Sequence, residues 1–413
     1  MSEPVVSRKP APALIRILLV EDNPPDAVLL QEVLKDATAA QFRLTWVKSR
    51  TEALERLAQD RFDVMLLDLG LPESTGLETF NHVHAHAPNV PTIVLSGLSD
   101  ENVAVATVQG GAQDYLVKGR VDSELLVRAM RYAIERKRTE MELRRRNEEI
   151  QEDLNMAREF QLAFLPRKYP VFPRSASPEQ SKLRFHHRYL PSSSVGGDFF
   201  HILQLSDTQA GVFICDVMGH GVRSALVTAL MRGLVEEHAR SATEPGRFLA
   251  EVNKSLAAVL RQTGTTLFAT AFYMVVDIAA GHIRYAAAGH PSPLVLHRRA
   301  GTAERIYDGH EPTGAVLGLV DETQYETTEK PFAPGDTVLL YTDGVREVAN
   351  ANEEEFGLKR LVEAVRQRLQ AAPGKLMEEI MQEALRYSGT TAFDDDVCLV
   401  AVEWPEPGAP PGS

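Results

Sequence analysis

The sequence predicts a multidomain protein in which an α/β domain and an α+β domain are joined by a long helix. The first third alternates short apolar runs with amphipathic stretches, a region without Gly or Pro follows, and the last part clusters its strands and pairs its helices. A length of 413 residues fits two or three domains. The predicted boundaries are a disordered tail over 1–13, an α/β core over 14–122, a helical linker over 123–165, a Pro/Ser-rich connection over 166–181, an α+β domain over 182–404 and a disordered tail over 405–413.

Five apolar runs between residues 15 and 119 predict the strands of the first domain. They are IRILLVED, FRLTWVK, DVMLLD, PTIVLSG and DYLVKG. Near-continuous Val, Ile and Leu suit parallel strands buried on both faces, and the segments between the runs have helical spacing. We therefore expect a doubly wound, five-stranded parallel sheet.

Residues 123–165 predict one helix of roughly 60 Å, at about 1.5 Å per residue. Apolar and polar residues repeat there in steps of three and four, which favours an α-helical coiled coil with a discontinuity and a homodimer formed through the linker. The alternative is a single helix packed along a domain. The two predicted seams are Val127, Met130, Ile134, Lys137 and Met141, and then Leu143, Asn147, Ile150, Leu154, Ala157, Gln161 and Phe164.

Alternating strands in the last part come in clusters, with pairs of helices between them. Helices are predicted over 222–240, 245–261, 358–369 and 375–387. This order indicates antiparallel sheets with segregated helices, an α+β layered sandwich of the α-β-β-α kind.

Composition narrows the class of protein. A formal net charge of -13 argues against nucleic acid as a main partner. No run of about 18 apolar residues is present, and residues 1–13 lack the apolar core of a signal peptide, so we expect no membrane association and a cytoplasmic location. Cys215 and Cys398 have no metal-ligand spacing and are expected to be small buried hydrophobes.

Polar residues follow four of the predicted parallel strands, at the edge where such sheets carry their sites. Converging carboxylates repel each other, and Mg²⁺ relieves that repulsion. Beside a metal, Asp68 can act as a nucleophile toward a phosphoryl donor, while Lys118 and Ser96 can bind phosphoryl oxygens. The residues at the strand ends are Glu21, Asp22, Asp68, Ser96 and Lys118.

The motifs LLVEDN, LLDLGLP, VLSG and DYLVKG resemble the receiver domain of two-component response regulators, over residues 15 to about 138. The resemblance implies that Asp68 is the phosphoacceptor, that Ser96 and Tyr115 form a switch, and that a sensor histidine kinase or phosphotransfer protein is the partner. The Mg²⁺ ligands that it implies are Glu21, Asp22, Asp68 and the Gly70 carbonyl. Gly119 stands where the family usually has Pro, which removes the reason to expect the family's cis peptide there.

A second acidic group belongs to the α+β domain. Each member lies at the end of an apolar strand, and three of its four motifs contain Gly. Carboxylates without His or thiolate neighbours select Mg²⁺ or Mn²⁺, and four such groups suffice for a two-metal site that attacks a phosphate ester with water. The members are Asp198, Asp216, Asp343 and the run Asp394, Asp395 and Asp396.

The motifs SVGGDFF, CDVMGHGVRSAL, LLYTDGVREVAN and DDDVCLVAV resemble the PPM-type (protein phosphatase 2C fold) phosphatases of the SpoIIE branch, over about 180–404, and AREFQLAFLP resembles the helix that leads into that domain. The resemblance implies that Asp216 and Asp343 bridge two Mn²⁺ or Mg²⁺ ions, that Asp198 holds one, and that Asp395 with the Val217 carbonyl holds the other. Asp396 is the alternative to Asp395.

His201 stands where the branch commonly has a second Asp, which suggests a weakened metal site or a shifted metal preference. His220 and His290 lie in Gly- and Pro-flanked turns and are expected to stabilise loops, so the general acid stays unassigned. Together the two resemblances imply a response regulator whose phosphorylated receiver controls a serine/threonine phosphatase. By analogy, the substrate is a phosphorylated, STAS-like anti-sigma-factor antagonist. The alternative is a degenerate, non-catalytic output domain that binds a regulator stoichiometrically.

Overall fold

The computed structural model describes residues 14–35, 37, 41–97, 101–264, 266–307 and 314–406, with residues 101, 102 and 104 described by their backbone alone. The chain divides into two compact units, Met1–Ile150 and Gln151–Ser413. The tails predicted over 1–13 and 405–413 lie outside the described residues, apart from 405 and 406. Among the described residues, no helix is both long and apolar enough to span a bilayer.

The first unit contains a five-stranded parallel sheet with the order β2-β1-β3-β6-β7, which confirms the predicted doubly wound domain. Its strands are β1 (Leu14–Val20), β2 (Gln41–Val47), β3 (Val64–Asp68), β6 (Thr92–Ser96) and β7 (Asp114–Val117), with a short hairpin of β4 (Gly70–Leu71) and β5 (Ser74–Thr75). Its helices are α1 (Pro24–Lys35), α2 (Arg50–Gln59), α3 (Leu77–His86), α4 (Glu101–Gln109) and the start of α5 (Ser123–Phe164).

The central strands of this sheet are buried on both faces. All residues of β3 and β6 are buried, and alternate side chains enter two different cores. Leu66 lies in the core that includes α1 and α5, and its neighbour Leu67 lies in the core under α2 and α3. The apolar runs of the sequence therefore reflect a two-sided environment.

The long helix α5 spans both units, and its two ends are parts of their cores. Val127 and Met130 are buried in the first unit, and Gln161 is buried in the second. The prediction that these residues form coiled-coil seams is wrong, because each packs within its own unit. The middle of the helix is different, since Met141, Leu143 and Ile150 are each at least 42% exposed.

The second unit contains two antiparallel sheets with the orders β15-β12-β11-β10-β9 and β14-β13-β16-β17-β8. The strands are β8 (Arg184–Leu190), β9 (Asp198–Gln204), β10 (Gln209–Val217), β11 (Ala269–Asp277), β12 (His282–Ala288), β13 (Leu294–His297), β14 (Thr302–Arg305), β15 (Thr328–Pro331), β16 (Asp336–Tyr341) and β17 (Val397–Glu403). The helices are α6 (Val222–Glu237), α7 (Pro245–Thr263), α8 (Gly344–Glu347), α9 (Gly357–Arg366) and α10 (Pro373–Ser388).

Three apolar cores hold the second unit together. One combines residues of both sheets, such as Phe272 and Val400. Another combines the first sheet with α6 and α7, and the third combines the second sheet with α8, α9 and α10. The strands β10, β11, β16 and β17 therefore have apolar neighbours on both faces, whereas the edge strand β15 is largely exposed.

The Pro/Ser-rich segment 166–181 is an integral part of this unit, which corrects its description as a connection. Phe172 is fully buried in the core between the sheets. The Ser181 hydroxyl accepts a hydrogen bond from the Phe172 backbone N–H at 3.0 Å and donates one to the Leu183 carbonyl at 2.6 Å. These bonds satisfy backbone groups of a segment whose regular structure is the short 3₁₀ helix Pro178–Gln180, so that Phe172 can be buried.

Candidate functional site

In the first unit, three carboxylates and one ammonium group meet at the carboxyl ends of the parallel strands. Oxygen atoms of Glu21, Asp22 and Asp68 all lie within 4.8 Å of one another. The Lys118 Nζ lies 2.7 Å from Glu21 Oε2 and 2.8 Å from Asp68 Oδ2. The structure thus brings together the four charged residues that sequence analysis selected for this site.

The electrostatics of this group are those of a cation site. Burial raises the pKa of Glu21 to about 7, with the nearby Lys118 opposing this rise and Asp68 adding to it. Burial by itself lowers the pKa of Lys118, but hydrogen bonds and charges of Asp68 and Glu21 outweigh it and raise the pKa. One ammonium group cannot neutralise three carboxylates, so the donor set fits a hard divalent cation such as Mg²⁺.

A fourth carboxylate, which sequence analysis missed, also contacts the ammonium group. Asp26 Oδ2 in the first turn of α1 lies 3.3 Å from Lys118 Nζ. Its position five residues after Glu21 places it one helical turn above the strand end, and the motif VEDNPPD contains it. Lys118 is therefore held by three carboxylates at once.

The remaining predicted residues of the first unit surround Asp68. The Ser96 Oγ is buried and has no hydrogen-bond partner among the described residues, so it is available to an incoming oxygen. Tyr115 is half-buried against the core under α2 and α3. The Gly70 N–H donates to Asp68 Oδ1 at 3.2 Å.

Gly119 differs from the family pattern in a way that the backbone explains. Its φ is +80°, and the peptide bond before it is not among the cis bonds of the described chain, of which Phe172–Pro173 is one. The proline ring fixes φ near -65°, so proline could not adopt this conformation.

In the second unit, acidic residues from both sheets face one another. Asp198 and Asp216 are directly opposite on β9 and β10. Asp343 follows β16 and Asp395 precedes β17, and these two strands are antiparallel neighbours. The Thr342 hydroxyl donates to Asp198 Oδ2 at 2.7 Å, which ties the two sheets together at the site.

The pKa values of these carboxylates rise because they are buried beside one another. Burial, followed by Asp216, raises the pKa of Asp198 well above its usual range. Burial, followed by Asp343 and Asp395, raises that of Asp216 to about 8. Burial, Glu347 and Asp395 raise that of Asp343 to about 6. Asp198 Oδ1 is also buried, with no hydrogen-bond partner within the described ranges. This unpaired negative charge fits divalent cations.

Asp395 and Asp396 have different environments, although they are adjacent. Both oxygens of Asp396 accept hydrogen bonds from protein groups, namely the backbone N–H and hydroxyl of Ser192 and the N–H of Gly197. Asp395 is exposed and contributes to the raised pKa of Asp216. Asp396 is thus a loop anchor, whereas Asp395 accepts one hydrogen bond, from the Asp396 N–H to its Oδ1 at 2.8 Å. Asp394 is exposed.

Two glycines form a cradle for oxygen atoms next to Asp198. A Cβ atom on Gly197 would lie 2.6 Å from the Val217 carbonyl oxygen and 3.0 Å from that of Gly219. A Cβ on Gly196 would lie 2.6 Å from Asp396 Oδ2. The SVGGD motif therefore needs both glycines, because its backbone touches the groups that line the site.

Gln161, near the end of α5, clasps this cradle. Its Nε2 donates to the Gly196 carbonyl at 2.6 Å and to the Thr228 hydroxyl at 3.2 Å. The Gly196 N–H donates back to its Oε1 at 2.9 Å. Sequence analysis placed Gln161 on a coiled-coil seam. Its polar side chain among mostly apolar seam positions was the one signal that it could have another role.

His201 lies away from the carboxylates, which corrects the expectation that it weakens a metal site. It is three residues after Asp198 on β9, so its side chain is on the opposite face of the strand. There it pairs with Arg232 at 2.6 Å and with Glu236 at 3.1 Å on α6. Burial, with the charge of Arg232, lowers its pKa to about 4.

The other two histidines lie in different environments. His290 is fully buried, its Nδ1 is 2.9 Å from the Thr270 hydroxyl, and burial lowers its pKa to about 3. The structural role predicted for His290 therefore agrees with its contacts. His220 is exposed in the turn before α6.

Comparisons with known proteins assign a family to each unit. Residues 17–131 match the response regulator receiver domain, and residues 206–405 match the Stage II sporulation protein E (SpoIIE) family. The chain is similar to phosphoserine phosphatase RsbP of Bacillus subtilis (strain 168), with 28% identity over 193 residues, 46% of each chain. It is also similar to phosphoserine phosphatase RsbU of the same organism, with 23% identity over 260 residues, 62% of this chain and 72% of RsbU.

Among solved structures, the SiaA-PP2C domain of Pseudomonas aeruginosa shares the fold of the second unit. The TM-score is 0.52 at 24% sequence identity, covering 62% of this chain and 98% of that domain. The chain spans less than half the length of RsbP.

Proposed function

Because the chain contains a response regulator receiver domain and a SpoIIE family domain, we propose that it is a metal-dependent protein serine/threonine phosphatase controlled by phosphorylation of Asp68. The observation that carries the proposal is the meeting of unpaired, buried carboxylates from both sheets of the second unit. We also propose that this unit has α-β-β-α layering. We propose in addition that the exposed middle of α5 pairs as a coiled coil.

In the phosphatase unit, Asp216 and Asp343 would each hold both of two Mn²⁺ or Mg²⁺ ions. Asp198 would hold one ion, and Asp395 with the Val217 carbonyl would hold the other. When bound, such ions polarise a phosphate ester and lower the pKa of a water molecule. The protein groups fix this constellation before substrate arrives: Thr342 orients Asp198, and the Gly196–Gly197 cradle orients the Val217 carbonyl.

In the receiver unit, an Asp68 carboxylate oxygen would attack the phosphorus of a phosphohistidine on a sensor kinase or phosphotransfer protein, and the histidine nitrogen would leave. Lys118 and the Ser96 hydroxyl would hold the oxygens of the transferred group. Glu21, Asp22, Asp68 and the Gly70 carbonyl would hold Mg²⁺, which neutralises charge during the transfer. To contact the transferred phosphoryl group, Lys118 would have to weaken its ion pair with Asp26. The signal that follows would be a change in the positions of Lys118, Ser96 and Tyr115.

The signal would reach the phosphatase through α5. This helix begins beside the receiver core and carries Gln161 near its other end, where Gln161 holds the Gly196 backbone two residues before Asp198. Four residues inserted near Arg145 turn the two ends by roughly 40° relative to each other, whereas seven change the phase by only about 20°. Regulation that is lost with four and kept with seven supports this route, and regulation kept with both would show a flexible tether.

The substrate we propose is a phosphoserine or phosphothreonine on an anti-sigma-factor antagonist with a STAS-like fold. Support comes from RsbP and RsbU, which are named phosphoserine phosphatases. The alternative of a non-catalytic binding domain rested on His201, and no observation now favours it, because His201 faces α6.

The experiment that tests catalysis is hydrolysis of an aryl phosphate by the full chain with Mn²⁺. We expect Asp216→Asn and Asp343→Asn to lose activity by several orders of magnitude, whereas the control Asp207→Asn, an exposed carboxylate of the same unit, keeps it. Absence of hydrolysis by the wild-type chain would sink the proposal.

A separate experiment tests phosphoryl acceptance. Acetyl phosphate labels the chain in the presence of Mg²⁺, and Asp68→Asn abolishes the label. Labelling that persists in Asp68→Asn would show that another group is the acceptor.

A further inference from the structure

The second unit has an open groove of about 1120 Å³ that is separate from the acidic site. It lies between α9 and α10, and we call it the α9–α10 groove. Its apolar lining consists of Phe356, Leu358, Val362 and Tyr387. The last three are half-buried on the core beneath, so part of each side chain faces outward. Its charged lining consists of Arg305, Lys359, Arg360, Arg366, Arg386, Glu363 and Glu383.

The five basic side chains of the groove have no acidic partner. Among the described residues none of them forms an ion pair, and Arg360, Arg366 and Arg386 donate to neutral carbonyls instead. Arg360 donates to the Phe356 carbonyl at 3.2 Å, and Arg366 to the Ala303 carbonyl at 3.2 Å. The Arg305 Nε is buried and has no hydrogen-bond partner in the part of the chain that the structure describes.

The two acidic side chains of the groove are already engaged. Glu383 pairs with Arg368, outside the groove, at 2.6 Å. Glu363 accepts a hydrogen bond from the Gln367 amide at 3.1 Å. The groove thus carries unpaired positive charge in a chain whose formal net charge is -13, and an anionic partner would be attracted to it.

We propose that the α9–α10 groove binds an acidic amphipathic helix of a partner protein. Apolar side chains of that helix would cover Leu358 and Val362, and its carboxylates would pair with the basic rim. This is the usual form of helix-in-groove recognition, with anchors spaced by one helical turn. The spacing of Lys359 and Arg366, two turns apart on α9, suits such a ligand.

The lining favours a protein helix over single-stranded nucleic acid. Nucleic acid needs free aromatic faces on which bases stack. The aromatic ring that is partly accessible here is Tyr387, and Arg360 already lies over it at 4.4 Å from the ring centre, with Phe356 at its edge. The rest of the floor is aliphatic.

Two residues that line the groove are hydrogen-bonded to the stretch of chain that follows Asp343 of the acidic site. Phe356 N–H donates to the Val348 carbonyl at 2.8 Å, and the Asn350 amide donates to the Tyr387 hydroxyl at 3.1 Å. Both partners belong to the stretch that follows Asp343. The groove is thus placed to position a bound protein near that site, although its binding does not depend on hydrolysis.

The test is binding of a fluorescein-labelled helical peptide to the full chain, followed by fluorescence anisotropy. The probe has about 15 residues, roughly 20 Å of helix, with Leu at one-turn spacing and Glu on the other face. We expect saturable binding that weakens with salt. Lys359→Glu with Arg366→Glu should reduce affinity at least about tenfold, because attraction becomes repulsion.

The matched control is Lys375→Glu with Arg247→Glu, two exposed basic residues of the same unit outside the groove, which should bind the probe as the wild type does. A second probe with Ser in place of Leu should bind much more weakly. Equal loss in groove and control variants, equal affinity for both probes, or displacement of the peptide by a single-stranded oligonucleotide would each overturn the proposal. Self-association that the groove variant abolishes would also overturn it, because the occupant would then be a second copy.

Discussion

Replacing Gln161 with Leu removes the clasp between the end of α5 and the cradle beside Asp198. The Gln161 amide makes three hydrogen bonds, of which two are with the backbone of Gly196. Leucine has nearly the same volume, so it fills the site without opening a cavity. The change therefore isolates the loss of hydrogen bonds.

The cost follows from burial. Gly196 is buried, and after the change both its N–H and its carbonyl group lack partners. Each buried unsatisfied group costs about 1–3 kcal/mol, and the added apolar burial of leucine offsets part of that. We expect the free energy of unfolding to fall by about 2–4 kcal/mol, which lowers Tm by roughly 5–15 °C for a unit of this size. Since Asp198 is two residues further, we also expect kcat to fall at least about tenfold.

The assays are calorimetric unfolding and Mn²⁺-dependent hydrolysis of an aryl phosphate. The matched control is Gln151→Leu on the same helix, where an exposed amide makes hydrogen bonds of 3.3 and 3.4 Å. Wild-type Tm and kcat in Gln161→Leu would refute the reasoning. A fall in Gln151→Leu as large as in Gln161→Leu would refute it as well, because the effect would then belong to the helix in general.

Three further predictions concern the same unit. Gly197→Ala should abolish most activity, since its Cβ would meet backbone carbonyl oxygens at 2.6 and 3.0 Å, whereas Gly233→Ala, with open space at an exposed helical position, should raise the free energy of unfolding by about 0.5–1 kcal/mol. Asp395→Asn should weaken Mn²⁺ binding, measured by calorimetric titration, at unchanged Tm, whereas Asp396→Asn should lower Tm; the reverse pattern would exchange their roles. The folded-state pKa of His201 is about 4, and its unfolded value is about 6.5. As pH falls through this window, the unfolded state takes up the proton first, so the free energy of unfolding drops by up to about 3 kcal/mol. His201→Gln should flatten that decline in denaturant titrations, and an unchanged pH profile would contradict this prediction.

The site residues that the sequence could predict are those at the ends of strands. In the receiver, parallel strands end at one edge, so Glu21, Asp68 and Lys118 had to meet once the strands were recognised. Side chains alternate between the two faces of a strand, so the sequence also indicates that His201, three residues after Asp198, lies on the other face of β9.

Contacts between distant segments were not predictable in the same way. Gln161 and Gly196 are joined by hydrogen bonds across 35 positions, and nothing in their local pattern indicates the partner. Short strands were missed for a different reason: β14 (TAER) and β15 (TEKP) have charged residues and no apolar run, because each lies at the edge of its sheet. The choice between Asp395 and Asp396 likewise depended on which one the loop at Ser192 had taken.

Because the two ends of α5 belong to different cores, this helix determines where the boundary of a separately folding domain can lie. A phosphatase that began at residue 182, as its predicted boundary suggests, would lack Gln161 and the buried side chains of Leu165 and Phe172. The portable module therefore includes the last three turns of the helix and the Pro-rich segment after it. We expect a junction with another domain to leave both cores whole if it is made within the exposed middle of the helix and keeps helical phase.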